Sequence, residues 1–206
     1  MCGRYSFNVK GSPRLQTLAR QLDEQGINVQ TGEVAPGDNM AVVTRKGDRM
    51  TLGAVKWGFP GFVGSRPVIN ARAETVLDKP MFRDAFLAHR CVFPSDAFYE
   101  WNPSHERFSF DRSDQQVIFL AGIIRDYPDG PRGVILTTNP NQDVGAVHDR
   151  MPLMVDEQHI RDWIMDTTFA QHWLAHPMDR LRGTRQVALG EDIPALILII
   201  PIQRYV

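Results

Sequence analysis

The sequence predicts an α+β fold, and three observations support this prediction. Short apolar runs that suit the strands of a buried sheet dominate the middle of the chain. Segments with helical periodicity lie between and after these runs. Strands and helices do not alternate regularly, which favours a mixed sheet over a doubly wound parallel one. The chain has 206 residues and no linker, so we expect one domain over residues 1–206.

The first predicted element is an amphipathic helix that begins near Ser12 and is closed by Gly26. Ser12 supplies an N-cap, and Pro13 occupies the first helical position. The apolar face of this helix consists of Leu15, Leu18, Ala19 and Leu22. A hairpin is predicted next, in which strands 40–44 and 50–57 flank a polar turn.

The later elements are predicted from apolar runs and their spacing. Residues 58–64 are dense in glycine and proline, which indicates a loop of the kind that often carries function. Helices are predicted at 80–89, 156–165 and 169–176. Strands are predicted at 91–93, 98–101, 117–124 and 134–138.

Composition and charge narrow the classes of function. The net charge of −1 argues against a protein that coats nucleic acid by bulk electrostatics, although it allows a local basic groove. The amino terminus has no basic stretch followed by an apolar run, as a signal peptide would. The longest apolar run, 195–202, contains Pro201 and is too short to span a bilayer. We therefore expect a cytoplasmic protein with no membrane segment.

The two cysteines, Cys2 and Cys91, lie far apart in sequence, which argues against a disulfide framework and against paired-cysteine zinc sites. His172 and His176 have the spacing of two metal ligands on one helix face. The glutamate that follows the first histidine in zinc proteases is absent, however, so a metal site here is the lesser alternative to surface or core-edge histidines. We expect no metal and no cofactor.

Cys2 is the most informative position, because methionine is commonly trimmed before a small residue. Trimming would leave a 1,2-aminothiol, whose amine has a pKa of about 8 and condenses with aldehydes before the thiol closes a ring. The alternative, a cysteine that only packs in the core, is our interpretation of Cys91.

Three further segments carry candidate functional groups. Glu100 stands among aromatic residues in a predicted strand, where it is either buried with a raised pKa or faces outward. His148 lies beside an acid and a cation, and by itself this segment is more typical of a surface histidine than of a catalyst. Asn70 and Arg72 would share one side of a strand, as an oxyanion or phosphate site requires; the alternative is a turn followed by a helix start.

These segments together resemble the family of SOS response-associated peptidases, the abasic-site processing proteins. The resemblance extends from residue 1 to about residue 165. Any one of its motifs could arise by chance, whereas all five in this order hardly could. The motifs are Met-Cys-Gly-Arg-Tyr at residues 1–5, Val-Ala-Pro-Gly at 34–37 with Trp-Gly at 57–58, Ile-Asn-Ala-Arg-Ala-Glu-Thr at 69–75, Phe-Tyr-Glu-Trp at 98–101, and His-Asp-Arg-Met-Pro at 148–152.

The resemblance implies a barrel-like, largely antiparallel β core and a positively charged groove that receives single-stranded DNA containing abasic sites. In the family the cysteine, exposed by processing of the chain, forms a stable thiazolidine with the ring-opened abasic aldehyde. The catalytic residues implied are Cys2, Asn70, Glu100 and His148. The DNA-binding residues implied are Arg4, Arg72 and Arg150 at phosphates, with Pro36 and Thr137 lining the site.

Apolar side chains in the loop, such as Phe62 and Val63, suit the gap left by a missing base. Two other functions stay open: a hydrolase that uses Cys2 as an amino-terminal nucleophile on peptides or amides, and a non-catalytic single-stranded DNA binding module. We expect a monomer that acts in the DNA damage response.

Overall fold

The computed structural model describes residues 2–61, 66–112, 117–176 and 181–186. Within these ranges the strands are β1 (Arg4–Phe7), β2 (Gly32–Val34), β3 (Asn39–Lys46), β4 (Arg49–Trp57), β5 (Asn70–Arg72), β6 (Arg90–Ser95), β7 (Ala97–Trp101), β8 (Arg107–Asp111), β9 (Ile118–Tyr127), β10 (Gly130–Thr138), β11 (Met151–Pro152) and β12 (Arg182–Gln186). The helices are α1 (Pro13–Glu24), α2 (Pro80–Ala88), α3 (Gln142–Gly145), α4 (Ile160–Met165) and α5 (Thr167–Trp173), with 3-10 turns at Ala73–Thr75 and Glu157–His159.

Five strands close a barrel. Strands β4, β3, β6, β9 and β10 pair in that order, and β10 pairs again with β4. Every contact in this ring is antiparallel except the one between β10 and β4, which is parallel. The barrel is tightly filled: a Cβ added at Gly122 would stand 2.2 Å from a ring carbon of Phe93. The predicted α+β fold with a mixed, largely antiparallel, barrel-like core is confirmed.

A second sheet packs against the barrel and carries the first strand of the chain. Its order is β12, β8, β7, β1, β2, with all neighbours antiparallel. Tyr5, Phe98 and Phe110 of this sheet lie in one apolar cluster with Met40 and Trp57 of the barrel. Residues next to Cys2 are therefore anchored between two sheets.

The elements with strong sequence signals form as predicted. The backbone nitrogen of Leu15 donates to the Ser12 hydroxyl at 3.4 Å, and Gly26 has a φ of 68°, a left-handed conformation that suits glycine. The hairpin of β3 and β4 is also confirmed. The helix predicted at 156–165 is shorter, because its first turn is a 3-10 turn and α4 begins only at Ile160.

In the part of the chain that the structure describes, no helix is long and apolar enough to cross a membrane. The apolar run at 195–202 lies outside the described residues.

Candidate active site

Cys2 lies directly before β1 and is fully buried. Its thiol donates to the carbonyl oxygen of Arg4, with a sulfur–oxygen distance of 3.6 Å. Burial raises the pKa of the Cys2 thiol well above its ordinary value, and the negative charge of Glu100 raises it further. The sulfur is therefore held as a neutral thiol. Cys91 is buried in β6, as expected for a packing residue.

Asn70 holds the backbone of Cys2. Its side-chain nitrogen donates to the Cys2 carbonyl oxygen at 2.9 Å. Its side-chain oxygen is buried and accepts no hydrogen bond from the residues that the structure describes. Asn70 begins β5, which runs parallel to β10, and the indole nitrogen of Trp57 donates to the carbonyl oxygen of Ile69 at 3.0 Å. The backbone at Asn70 is thus held by β10 and, through Ile69, by Trp57. Its side-chain nitrogen is bonded to Cys2, and its side-chain oxygen can still accept a hydrogen bond.

Glu100 is buried on the inner face of β7, with 2% of its surface exposed. The neighbouring Tyr99 and Trp101 are half-buried and point to the other side of the sheet, as the strand alternation requires. Burial raises the pKa of Glu100 to about 7. The outward-facing alternative is wrong, and this carboxyl group can exchange a proton at neutral pH.

His148 follows α3 and faces Glu100. Its Nε2 atom lies 3.8 Å from the nearer Glu100 carboxylate oxygen. Its Nδ1 atom lies 3.0 Å from the backbone nitrogen of Arg150, which donates to it, and 3.2 Å from the Arg150 carbonyl oxygen, so this segment holds the ring with Nε2 toward Glu100. Burial lowers the pKa of His148. The carboxylate of Asp149, 88% exposed and 3.1 Å from Nδ1, can accept a hydrogen bond from the ring and forms an ion pair with it when the ring is charged.

The three arginines predicted to contact phosphates differ in their surroundings. Arg4 forms an ion pair with Glu33 at 2.6 Å. Arg150 is 9% exposed and donates to both carboxylate oxygens of Glu74 at 2.8 Å. The side chain of Arg72 is exposed on β5 and forms no hydrogen bond or ion pair with a described residue, although its charge acts on Glu74. A phosphate would have to compete with a carboxylate at Arg4 or Arg150, but not at Arg72.

The remaining predicted DNA-binding residues are partly described. Pro36 is exposed in a tight loop, where the backbone nitrogen of Ala35 donates to the Asp38 carboxylate at 2.8 Å. Thr137 is fully buried in β10, so its hydroxyl reaches the site only through a 3.5 Å hydrogen bond from Arg150. Phe62 and Val63 lie outside the described residues.

Within the described ranges, no group of three or more His, Cys, Asp or Glu side chains could hold a metal ion. The ring of His176 stacks on Trp173 with centroids 4.0 Å apart, and His172 is exposed on α5. These positions fit the interpretation of both histidines as surface or core-edge residues.

The model of the family described as SOS response associated peptidase (SRAP) matches residues 1–188. The chain belongs to the SRAP family. The abasic site processing protein YoqW of Bacillus subtilis is 28% identical, and the match covers 80% of each chain. YedK of Escherichia coli, with the same designation, is 28% identical over 80% of this chain and 79% of its own. HMCES of Gallus gallus, also an abasic site processing protein, is 25% identical over 91% and 71%.

Two solved structures share the SRAP fold seen here. A protein from Bordetella bronchiseptica has a TM-score of 0.71 at 22% identity, covering 91% of this chain and 100% of that one. A protein from Bacteroides thetaiotaomicron has a TM-score of 0.70 at 20% identity, covering 89% and 91%. Both likenesses concern the fold alone.

Sequence reasoning did not find every charged residue of this SRAP site. Glu74 is one residue of the motif at 69–75, and Asp149 is the acid beside His148; neither pattern indicates a role of its own. Glu74 stands two positions after Arg72 in this motif, and that spacing is the sequence feature that could have indicated Glu74 as a residue of the site. Glu33, which pairs with both Arg4 and Arg107, lies in a three-residue strand without a motif.

Proposed function

We propose that this SRAP protein processes abasic sites by forming a covalent link between Cys2 and the ring-opened sugar in single-stranded DNA, after Met1 has been removed. The observation that carries the proposal is that four separate segments meet around buried Cys2 and Glu100: Asn70 contacts Cys2, the charge of Glu100 acts on Cys2, and His148 faces Glu100. The designation of the relatives as abasic site processing proteins supports the nature of the substrate.

The chemistry balances with groups of this chain alone. Hydrolysis of the bond between Met1 and Cys2 consumes one water and frees the α-amine, and we propose that the protein cuts this bond itself. The amine attacks the aldehyde carbon to give a carbinolamine, which loses water to form an imine. The Cys2 sulfur then adds to the imine carbon, its proton passes to the nitrogen, and a thiazolidine ring results.

Glu100 is suited to carry protons in these steps. Removal of a proton from the amine and loss of water from the carbinolamine each need an acid–base group with a pKa near the working pH. The pKa of Glu100, raised to about 7 by burial, meets that requirement. His148 would donate from Nε2 to the oxygen of the opened sugar, and Asn70 would orient the Cys2 backbone and accept from a sugar hydroxyl.

The buried thiol favours this order of steps over the hydrolase alternative. A cysteine hydrolase attacks with a thiolate, which needs a lowered pKa and electropositive surroundings. Here burial and Glu100 both raise the pKa of Cys2. An amine that reacts first, followed by a neutral thiol that closes the ring, suits these surroundings. We further propose that Arg72 contacts a phosphate, and that Pro36, Phe62 and Val63 line the gap of the missing base.

The test is to mix the protein with a single-stranded oligonucleotide that carries one abasic site and to look for a band shift that survives denaturation. We expect a shift with wild type and with Cys91→Ala, a control that removes the other thiol. Cys2→Ala should give no stable adduct while retaining some DNA binding.

Intact-mass spectrometry of the free protein and of the adduct completes the experiment. The free protein should lack Met1, and the adduct should weigh the sum of the partners less one water. A normal adduct yield from Cys2→Ala would sink the proposal. Absence of any adduct from protein that has lost Met1, together with turnover of peptides, would establish the hydrolase instead.

A further inference from the structure

Arg150 connects the two segments that carry Asn70 and His148. Glu74 stands in the 3-10 turn directly after β5, which begins at Asn70. Arg150 directly precedes β11 and follows His148 by two positions. Strand β10 pairs with both β5 and β11 at Thr137. The bond between Glu74 and Arg150 therefore ties together, around β10, two segments that lie 76 positions apart.

Protein groups occupy the two terminal nitrogens of the Arg150 guanidinium, whereas its Nε is buried without a hydrogen bond to a described residue. The two terminal nitrogens donate to both Glu74 carboxylate oxygens at 2.8 Å, a two-point geometry that fixes orientation as well as distance. The same nitrogens donate to the Asn139 side-chain oxygen at 3.1 Å and to the Thr137 carbonyl oxygen at 2.7 Å. With the Thr137 hydroxyl at 3.5 Å, the side chain has five acceptors and is 9% exposed, which is the character of a support.

The backbone of Arg150 holds the His148 ring in place. Nδ1 lies 3.0 Å from the Arg150 backbone nitrogen and 3.2 Å from its carbonyl oxygen, and this contact leaves Nε2 facing Glu100 at 3.8 Å. A shift of the Arg150 backbone would release Nδ1 and let the ring turn. The orientation of His148 thus depends on an anchor that lies two residues further along the chain.

We propose that the ion pair of Glu74 and Arg150 is a positioning clamp that holds the His148 imidazole toward Glu100. Glu74 and Arg150 act through His148 and do not themselves touch the reacting atoms. The inference rests on the proposed function where its test measures the rate of adduct formation. It does not rest on the proposed function where the test measures the pKa of His148 by NMR.

The charged groups that face His148 define the titration that tests the clamp. Glu100 faces it from β7, Asp149 lies beside it in sequence, and the positive amino terminus acts on it from the start of the chain. Burial is the main cause that lowers the pKa of His148, followed by the amino terminus. Loosening the clamp exposes the ring to water, so the pKa of His148 should rise toward its ordinary value.

The experiment compares Glu74→Gln and Arg150→Lys with Asp111→Asn. The control removes the carboxylate of a second two-point pair, in which Arg182 donates to Asp111 at 2.9 and 3.0 Å on the edge of the other sheet. The pKa of His148 is measured by NMR titration of its ring protons. We expect a rise in both clamp variants and no change in the control.

The rate of adduct formation and the DNA affinity complete the comparison. Misplaced catalytic groups lose large factors in rate, so each clamp variant should form the adduct about 10-fold more slowly, with a shifted pH–rate profile. The DNA affinity of Glu74→Gln and its dependence on salt should match wild type. If Arg150 were instead a phosphate contact, Glu74→Gln would tighten DNA binding, and Arg150→Gln would reduce the salt slope by about 1.

The outcomes separate the two proposals. If wild type forms no adduct, the proposed function fails, while the NMR titration still tests the clamp. An unchanged His148 pKa in folded Glu74→Gln and Arg150→Lys, or the phosphate-contact pattern above, overturns the clamp.

Discussion

Two regions of this protein bury polar groups, and they treat them in opposite ways. Arg90 is 1% exposed, yet its guanidinium nitrogens all have acceptors. These acceptors are the carbonyl oxygens of Phe86, Leu87, Trp163 and Ile164 and the hydroxyl of Thr167, at 2.6 to 3.3 Å. Around Cys2, by contrast, the Asn70 side-chain oxygen and the Tyr5 hydroxyl are buried without a hydrogen bond to a described residue.

This difference in hydrogen bonding distinguishes buried polar groups that stabilise the fold from those that can bind a ligand. A buried donor whose partners are all supplied by the fold stabilises that fold, here by fastening the carboxyl-terminal ends of α2 and α4 to β6. A buried polar atom without a partner lowers stability and is retained where a ligand supplies the partner. By this criterion the Arg90 region is structural, and the surroundings of Cys2 support the substrate site proposed there.

The largest effect should come from removing the satisfied group. Arg90→Met leaves five acceptors without their donors, so we expect the free energy of unfolding to fall by about 4 kcal/mol. Urea denaturation followed by circular dichroism measures this. A decrease in the free energy of unfolding of less than about 1 kcal/mol is the usual range of a surface ion pair. Such a result would contradict the view that the buried bonds of Arg90 hold the fold together.

A smaller effect of the opposite sign should follow at Glu100. Its pKa is raised in the folded protein from 4.5 to about 7, so the folded state favours the protonated form. The stability contributed is complete below pH 4.5 and is lost as the pH rises through 7, by about 3 kcal/mol at pH 9.

Glu100→Gln removes this titration while keeping the shape of the side chain. The variant should therefore be more stable than wild type at pH 9, although its adduct formation should fall about 100-fold for want of the proton carrier. Urea melts at pH 5 and pH 9 give the first result and the crosslinking assay gives the second. Equal pH dependence in both proteins would show that Glu100 is not the titrating group.

The smallest expected effect is at Tyr5. Its hydroxyl is fully buried and unpartnered among the described residues, so Tyr5→Phe should raise the free energy of unfolding by about 1 kcal/mol. Adduct formation should slow, because the variant lacks the hydroxyl that the substrate would pair with. Thermal unfolding by calorimetry measures the gain. A loss of stability instead would reveal that the hydroxyl has a partner that the comparison has missed.

The sequence predicts elements whose ends are marked by residues within one segment. It does not predict elements that depend on partners far along the chain. Helix α1 was predicted because Ser12, Pro13 and Gly26 mark its ends within one short segment. Strands β1 and β5 were not predicted as elements, since three or four residues carry too little periodicity and both depend on partners elsewhere in the chain.

The candidate site shows the same limit. The residue types at Cys2, Asn70, Glu100 and His148 were found from motifs and resemblance, and the aromatic neighbours of Glu100 allowed its burial as one of two alternatives. The contact between Asn70 and Cys2 joins positions 68 apart, and no pattern along the chain encodes it. The partners of Arg150 were missed for the same reason, because charge alone does not distinguish a support from a phosphate contact.

The hydrogen bond from Asn70 to the Cys2 carbonyl has a consequence for how the protein is made. The first residues of the chain leave the ribosome at the start of synthesis, whereas β5 can dock only when β10, which ends at Thr138, has been made. His148 follows later still. Cys2 therefore lacks the neighbours proposed to act with it until about three quarters of these 206 residues have been made, and the chemistry proposed for it requires a closed barrel.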